Sequence, residues 1–278
     1  MNIGSEQHDK SPLSLIYSPA KTNMVSEIIK NLDDNALVVW DVDGVLLIGS
    51  DRIFHSENIY SGLNDEYVDY IANKYNLTPE QRDKFTSQLL IQRPIELVDK
   101  VLPSIMYELK TRNIKTIALT QCATGSFGDI KSVADWRIVE LNKLGIKFDF
   151  AFKDLDQIEL DKLTKLTGHY PLYKQGILFC ERHSKGDVLG AFLDVIEWKP
   201  NKIIFIDDKM EYLESIQVEC KQRNITFIGL HYTVALDLPS EIDDRIVKLQ
   251  YEYIMQNGIW LNDQMALEKL QNPTIGSD

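Results

Sequence analysis

The sequence predicts an α/β protein built on a doubly wound parallel β-sheet. Four segments are continuously apolar, as expected for strands covered on both faces, and they lie at 36–41, 115–120, 202–207 and 226–230. Helical patterns at 104–112, 185–196 and 209–223 precede the last three of these strands. Alternating helices and buried strands are typical of sheets with helices on both faces, whose ligands bind at the carboxyl ends of the strands. We therefore look for functional residues at those strand ends.

The remaining segments divide the chain into a core and three additions. Residues 1–33 are predicted to form a polar N-terminal arm and then a helix, because apolar residues recur at helical spacing over 24–32. Residues 51–93 are predicted to be a small helical cap insert over the site, in which a capping box at 78–81 starts one helix. Residues 34–50 and 94–240 would form the core, and the helices of 241–278 are predicted to pack on it. Four tyrosines of the insert are predicted to pack within it: Tyr60, Tyr67, Tyr70 and Tyr75.

Composition and charge narrow the class of protein. With 30 Lys and Arg against 42 Asp and Glu, the net charge of −12 repels nucleic acid and anionic membranes, and neither is expected as a partner. A small anionic substrate is compatible with this charge if a metal ion or local cations reverse the potential in a pocket. Three cysteines without a CxxC spacing suit a reducing compartment, and no signal-peptide pattern or apolar run of membrane length occurs. We expect a cytoplasmic protein, although a secreted or periplasmic chain whose signal peptide had been removed would look the same.

Two acids, Asp41 and Asp43, lie at the end of the first predicted strand, just before Gly44. Carboxylates this close repel each other unless they share a cation or a proton, so the pair indicates either a metal site or acid–base chemistry. A turn that ends the strand explains an isolated Asp-x-Asp-Gly about equally well. A calcium loop of the EF-hand type does not fit, because its sixth position is Leu46 instead of glycine and its twelfth is Arg52 instead of glutamate.

The ends of the other predicted strands add further polar groups. Strand 115–120 ends in Thr120, whose hydroxyl suits a phosphate oxygen, and strand 202–207 ends in Asp207, which Asp208 follows. Carboxylate oxygens from two strand ends are ligands that Mg²⁺ prefers. Between these strands, Lys185 opens a helix, where a cation opposes the helix dipole unless an anion lies nearby. Each residue alone has an ordinary structural explanation, but their order along the chain is specific.

In this order the motifs resemble those of the haloacid dehalogenase (HAD) superfamily, over about residues 37–230. The resemblance implies a Rossmann-like, HAD-like core, and the interval between the first and second motifs leaves room for a helical cap. It also implies roles for single residues, with Asp41 as the nucleophile and Asp43 as the general acid and base. The segment 256–263 is similar to a poorly characterised bacterial branch of the superfamily.

The resemblance further implies how phosphate and metal are bound. Three residues would bind the phosphate group: Thr120, Gln121 and Lys185. Four would hold Mg²⁺, one of them through its main-chain carbonyl: Asp41, Asp43 (the carbonyl), Asp208 and Asp207. The pair Gln121-Cys122 departs from the small or basic residues of the similar bacterial branch, which leaves the substrate-facing loop undefined.

The function that these residues imply is a Mg²⁺-dependent phosphatase. It would hydrolyse a phosphomonoester of a small molecule through an aspartyl-phosphate intermediate. Two alternatives stay open at this point. One is a phosphotransferase or phosphomutase with the same intermediate, and the other is a catalytically silent HAD-fold binding or effector module. The substrate, the oligomeric state and the roles of Glu181, Arg182 and His183 are equally open.

Overall fold

Eight strands form the central sheet of the protein, whose computed structural model describes residues 12–272. The start of the predicted N-terminal arm and the last six residues lie outside the described part. The strands, including a separate two-stranded pair, are β1 Ser14–Ala20, β2 Ala36–Trp40, β3 Leu47–Gly49, β4 Ile95–Leu97, β5 Lys115–Thr120, β6 Gln157–Glu159, β7 Leu172–Lys174, β8 Ile177–Phe179, β9 Lys202–Asp207 and β10 Thr226–Tyr232.

The strand order in the sheet is β1-β10-β9-β2-β5-β8-β7-β6. Neighbours from β1 to β8 run parallel, whereas β7 and β6 extend the sheet with antiparallel pairing. Helices flank this sheet, so the predicted α/β class with a mostly parallel central sheet is confirmed. The α-helices are α1 Thr22–Lys30, α2 Ser56–Tyr60, α3 Leu63–Lys74, α4 Pro79–Gln92, α5 Leu102–Thr111, α6 Val133–Lys143, α7 Lys185–Val195, α8 Met210–Gln222, α9 Asp244–Asn257 and α10 Asp263–Gln271.

The four predicted strands are confirmed at β2, β5, β9 and β10, and their side chains supply both hydrophobic layers of the core. Along β2, Val38 and Trp40 belong to one buried cluster and Leu37 and Val39 to the other, because successive side chains point to opposite faces. The indole N–H of Trp40 donates to the hydroxyl of Thr116 on β5 at 3.1 Å, which satisfies its one polar atom. The strand ends that carry the acids therefore follow strands whose two faces are both buried.

Two parts of the sheet differ from the sequence expectation. A strand, β1, occupies Ser14–Ala20 within the predicted arm and pairs in parallel with β10. Its residues are mostly exposed because it is an edge strand, and its apolar run covers only three residues, Leu15 to Tyr17. The strands β6, β7 and β8 have three residues each, too few to show a periodic pattern.

The insert 51–93 consists of a short 3₁₀ helix at Arg52–Phe54 and the helices α2, α3 and α4. Its base is closed by antiparallel pairing of β3 with β4 and by a hydrogen bond of 2.9 Å from the Ser50 N–H to the Pro94 carbonyl. The predicted capping box is confirmed, since the Thr78 side chain accepts from the Gln81 N–H and the Gln81 side chain accepts from the Thr78 N–H.

The C-terminal helices occupy a different place from the sequence expectation of packing on the core. Helix α9 and Trp260 share one hydrophobic cluster with the insert, in which Tyr251 contacts the rings of Tyr67 and Phe85. The carboxylate of buried Asp51 accepts from the Trp260 indole N–H at 2.7 Å. We refer to this set of contacts as the insert–tail cluster. Within residues 12–272, the structure contains no helix with the length and apolarity needed to cross a bilayer.

Candidate functional site

The carboxyl ends of β2 and β9 meet at the centre of the sheet, where the strand order reverses. From β2 the chain proceeds to β5 and β8 on one side, and it then returns to β9 and β10 on the other side. Such a switch point leaves a crevice outside the strand ends, which is the usual ligand site of open α/β sheets. Asp41 follows β2 and donates its main-chain N–H to the Ile206 carbonyl of β9 at 2.9 Å. Asp207 ends β9 beside it, and Asp208 is the next residue.

Lys185, the first residue of α7, lies fully buried between two of these carboxylates. Its ammonium group is 2.6 Å from Asp41 Oδ1 and 2.7 Å from Asp207 Oδ2. The helix begins here because the Ser184 hydroxyl caps it by accepting from the Asp187 N–H at 3.1 Å. Burial alone would lower the pKa of Lys185, but the Asp207 and Asp41 carboxylates outweigh it and raise that pKa above its ordinary value. The lysine is therefore a fixed positive charge inside the site.

Three carboxylates, those of Asp41, Asp207 and Asp208, converge so that one oxygen of each lies within 4.8 Å of the others. Burial raises the pKa of all three carboxyl groups, to about 7 for Asp207 and about 8 for Asp208. For Asp41 the neighbouring Lys185 opposes this effect. Once ionised, these three acids and one lysine carry an excess of negative charge in a buried place, which a bound cation would offset.

One atom of this cluster has no protein partner. Among residues 12–272, Asp208 Oδ1 is buried and makes no hydrogen bond, whereas Oδ2 accepts from the Tyr60 hydroxyl of the insert. Gly44 packs against the same carboxylate. Its φ is 80°, and a Cβ atom there would lie 2.1 Å from Asp208 Oδ2. A buried polar atom is nearly always satisfied in proteins, so the orphaned oxygen indicates a place for a ligand.

The other predicted residues lie at the same edge with different contacts. Half-exposed Asp43 (53% exposed) forms an ion pair of 3.0 Å with Arg137 of α6, and its carboxylate is not part of the three-acid cluster. Thr120 is buried at the end of β5, the neighbour of β2. Gln121 is exposed, and its side-chain amide donates to the His183 carbonyl at 2.6 Å. The structure thus groups Asp41 with the lysine and the acids of β9, and it gives Asp43 a separate cationic partner.

The residues that adjoin Lys185 in the sequence also take definite places. Glu181 is buried and accepts from the N–H and the hydroxyl of Thr124, at 2.5 Å each, and from the Thr167 hydroxyl. It therefore joins the loop after β5 to the loop before β7. His183 lies 2.8 Å from the Thr164 carbonyl through Nε2. Arg182 adopts a left-handed backbone conformation with a φ of 70°.

Sequence reasoning missed a group of buried charges on α6 and the contacts of Tyr60. Arg137 and Glu140 form a buried ion pair of 2.9 Å on α6, and Arg93 at the end of α4 lies 3.5 Å from Glu140. Buried charges at this spacing on a helix look like an ordinary surface pair in the sequence. Tyr60, predicted to pack within the insert, instead reaches Asp208, and its ring lies 4.7 Å from the Lys209 ammonium. No local sequence pattern predicts the contact between Tyr60 and Asp208.

Comparisons with known proteins find relatives in Rickettsia and Chlamydia species. An uncharacterised protein of Rickettsia prowazekii is 22% identical over 247 residues, covering 88% of this chain and 87% of the relative. One of Rickettsia bellii is 24% identical, with 92% and 85% covered. A protein of Chlamydia trachomatis named "Putative outer membrane protein" is 26% identical, with 80% and 78% covered. The family model described as "Protein of unknown function (DUF2608)" matches residues 20–267, and the chain belongs to this family.

Proposed function

We propose that this chain is a magnesium-dependent phosphohydrolase with a HAD-like core and a helical cap. It would hydrolyse a phosphomonoester of a small molecule through an aspartyl-phosphate intermediate on Asp41. The observation that carries the proposal is the convergence of Asp41, Lys185, Asp207 and Asp208 at the switch point of the sheet. The net charge of the cluster, three acids and one lysine, suits a divalent cation together with a phosphate group.

The residues present fit a small, hard cation. Asp208 offers the orphaned Oδ1, Asp41 offers a second carboxylate, and the main-chain carbonyl of Asp43 is the third expected ligand. Asp207 fits a different role, because Lys185 holds its Oδ2 and the Lys209 N–H donates to its Oδ1 at 2.8 Å. Asp207 would therefore mainly hold Lys185 in place and would contribute less to binding the ion. When bound, Mg²⁺ supplies charge neutralisation and orientation for the phosphate oxygens.

The chain's own residues account for the remaining steps. Lys185 holds Asp41 by Oδ1, which leaves Oδ2 free of this ion pair to attack phosphorus as the bond to the leaving oxygen breaks. Thr120 can donate its hydroxyl to a phosphate oxygen. Asp43 would protonate the leaving oxygen and then take a proton from the water that attacks the aspartyl phosphate, releasing inorganic phosphate and restoring Asp41. Asp43 lies in reach of solvent for this role, and its ion pair with Arg137 must loosen when it acts.

Phosphate release from an aryl phosphate in the presence of Mg²⁺ tests this proposal. We expect Asp41→Asn to lower the rate by about a thousandfold or more, because the nucleophile is lost. Asp34→Asn is the matched control, since Asp34 is an exposed acid outside the site, and it should leave the rate unchanged. Acid quenching should trap one phosphoryl group on the peptide that contains Asp41. Absence of Mg²⁺-dependent turnover above the Asp41→Asn level, over a range of divalent metals, would refute the enzyme reading and favour a binding or effector module.

The same intermediate could pass its phosphoryl group to an alcohol other than water. Phosphate release without any added acceptor supports the hydrolase, whereas release only as a new phosphate ester, formed when an acceptor alcohol is supplied, supports the phosphotransferase. The partner we propose is thus a small phosphorylated molecule, with no role for nucleic acid.

For location we propose the cytoplasm. All three cysteines lie in the described part of the chain and are unpaired there: Cys122, Cys180 and Cys220. Free thiols suit a reducing compartment. The name of the chlamydial relative points instead to the outer membrane. Detection of the chain by antibody in the cytoplasmic fraction of the cells that make it would support the proposal, and recovery in the envelope fraction would contradict it.

A further inference from the structure

A cavity of about 400 Å³ lies next to the loops that follow β5 and β8, and one residue of its wall, Arg137, contacts Asp43. Its walls come from the cap helix α4, the loop after β5, the start of α6 and the loop after β8. The residues that matter for its chemistry are Leu90, Phe127, Val133, Trp136, Arg137 and Arg182. A volume of this size lies in the lower part of the range for small-molecule sites, about 300–1,000 Å³.

The place of the cavity relative to Asp43 decides which part of a substrate would enter it. Arg137 lines the cavity and also contacts Asp43 at 3.0 Å. In the proposed reaction Asp43 protonates the leaving oxygen, so the leaving alcohol must lie on the side of Asp43. Gln121, the residue after Thr120, is also in the wall of the cavity. Two wall residues thus adjoin the proposed site, and the alcohol portion of a substrate with its phosphate at Asp41 would extend toward them.

The cavity is a formed site instead of a loose gap between cap and core. Glu181 ties two of the surrounding loops together through Thr124 and Thr167. At Gly125 the packing against His169 is so close that a Cβ atom would lie 2.4 Å from the histidine Nε2. Arg137 is 6% exposed, and within residues 12–272 its Nε–H has no acceptor. A preformed wall with an unsatisfied, buried donor is what a ligand site offers.

The lining favours one class of leaving group. Trp136 and Phe127 contribute aromatic surface, and Leu90 and Val133 contribute aliphatic surface. Arg137 and Arg182 add planar cations, which attract the faces of aromatic rings, and the Arg137 guanidinium already lies 4.9 Å from the Trp136 ring. The acid in the wall, Glu181, is occupied by its threonine donors. Aromatic surface together with planar cations suits an aromatic ring better than an open-chain polyol.

On the basis of the proposed function, we propose that the substrate is a phosphomonoester whose alcohol carries an aromatic ring, and that this cavity binds the ring. Phosphate esters of short alcohols without a ring would leave the cavity empty and be poor substrates. Trp136 and Phe127 are then specificity-determining residues. They would act on the choice of ester, while Asp41 and its partners perform the reaction on any ester.

Three esters with the same type of scissile bond test this inference: ethyl, 2-cyclohexylethyl and 2-phenylethyl phosphate. We expect kcat/KM for the phenyl compound to exceed that for the ethyl compound by about tenfold or more, with the cyclohexyl compound between them. In Trp136→Ala and Phe127→Ala the ratio of kcat/KM for the phenyl compound to that for the ethyl compound should fall toward one. Trp198→Ala is the matched control, because Trp198 is a half-buried tryptophan of a different cavity, which also includes Lys115 at the opposite end of β5, and it should keep the full preference.

Binding separates this inference from the proposed catalysis. The dissociation constants of the three esters are measured by calorimetry on Asp41→Asn with Mg²⁺, where turnover is not needed, and the same order of affinity is expected. If the unmodified chain shows no turnover but Asp41→Asn still binds the phenyl ester preferentially, the catalytic proposal is overturned and the aromatic pocket is supported. Equal affinities for ethyl and phenylethyl esters, an equal or better cyclohexyl ester, or a preference that survives both Trp136→Ala and Phe127→Ala would overturn the pocket. Circular dichroism shows whether Trp136→Ala and Phe127→Ala are folded. If one of them is not, the result for the other decides whether the cavity determines the preference.

Discussion

The buried lysine of the site allows a quantitative test by Lys185→Met, which keeps the volume of the side chain and removes its charge. Lys185 is fully buried, and its ammonium lies 2.6 and 2.7 Å from the Asp41 and Asp207 oxygens. Removing one member of a buried ion pair costs about 3–5 kcal/mol, because the remaining charge keeps its desolvation penalty without a partner. Here two carboxylates lose their partner at once, so we expect the free energy of unfolding to fall by at least about 3 kcal/mol.

Urea unfolding in EDTA at about pH 9, followed by circular dichroism, measures this loss while the carboxyl groups of the site are ionised. Lys115→Met is the control, because the half-buried Lys115 has uncharged partners, the Ala151 carbonyl at 3.2 Å and the Phe152 ring at 4.8 Å, and we expect it to lose about 1 kcal/mol. The double variant Lys185→Met/Asp207→Asn should be more stable than Lys185→Met alone, since one unpaired charge is gone. A Lys185→Met deficit within about 1 kcal/mol of the Lys115→Met value would refute the assignment of the site as a buried charge cluster.

Two further predictions concern the same cluster. Gly44→Ala should weaken Mg²⁺ binding by about tenfold or more, because its Cβ atom would lie 2.1 Å from Asp208 Oδ2. Gly62→Ala is the control, because its φ is nearly the same, 81° against 80°, and a Cβ atom there meets nothing within 4 Å. It should lose about 1 kcal/mol of stability from the backbone alone, Gly44→Ala should lose at least as much, and only Gly44→Ala should change the calorimetric affinity. Equal affinities of the two variants would contradict the role of Gly44. In EDTA, the free energy of unfolding should decrease as the pH rises from about 5 to about 8. Burial raises the pKa of Asp207 to about 7 and that of Asp208 to about 8, so the folded chain keeps protons that the unfolded chain, with an ordinary pKa of 3.8, has released. Saturating Mg²⁺ should flatten this dependence, and a flat profile in EDTA would show that the two acids are not perturbed.

The parts of the fold that could be predicted are those whose burial appears as a local pattern. Strands β2, β5, β9 and β10 are covered on both faces or nearly so, and their apolar runs are visible in the sequence. Strand β1 is an edge strand with mostly exposed residues, and its apolar run of three residues is too short to predict a strand. The strands β6 to β8 have three residues each and depend on pairing with neighbours instead of on their own pattern.

The candidate site follows the same rule. Asp41, Lys185 and Asp207 could be brought together from the sequence, because they lie at the ends of recognisable strands or at the start of a helix between them. Arg137 could not, since its partner Asp43 lies 94 positions earlier, and a charged residue on a helix gives no sign of which distant carboxylate it meets. Tyr60 reaches across 148 positions to Asp208, and only the position of the insert over the sheet edge brings them into contact.

The insert–tail cluster has a consequence for how the chain is made. Asp51 and Trp260, which share a buried hydrogen bond, are 209 positions apart. During synthesis the insert is finished long before α9 and Trp260 exist, so the parts of α3 and α4 that they cover stay exposed until residues 244–260 have been made. The entropy of closing so long a loop must be overcome before this contact stabilises the insert. The cap over the site is therefore completed only after Trp260 has been made, and until then its uncovered apolar surface is open to chaperones.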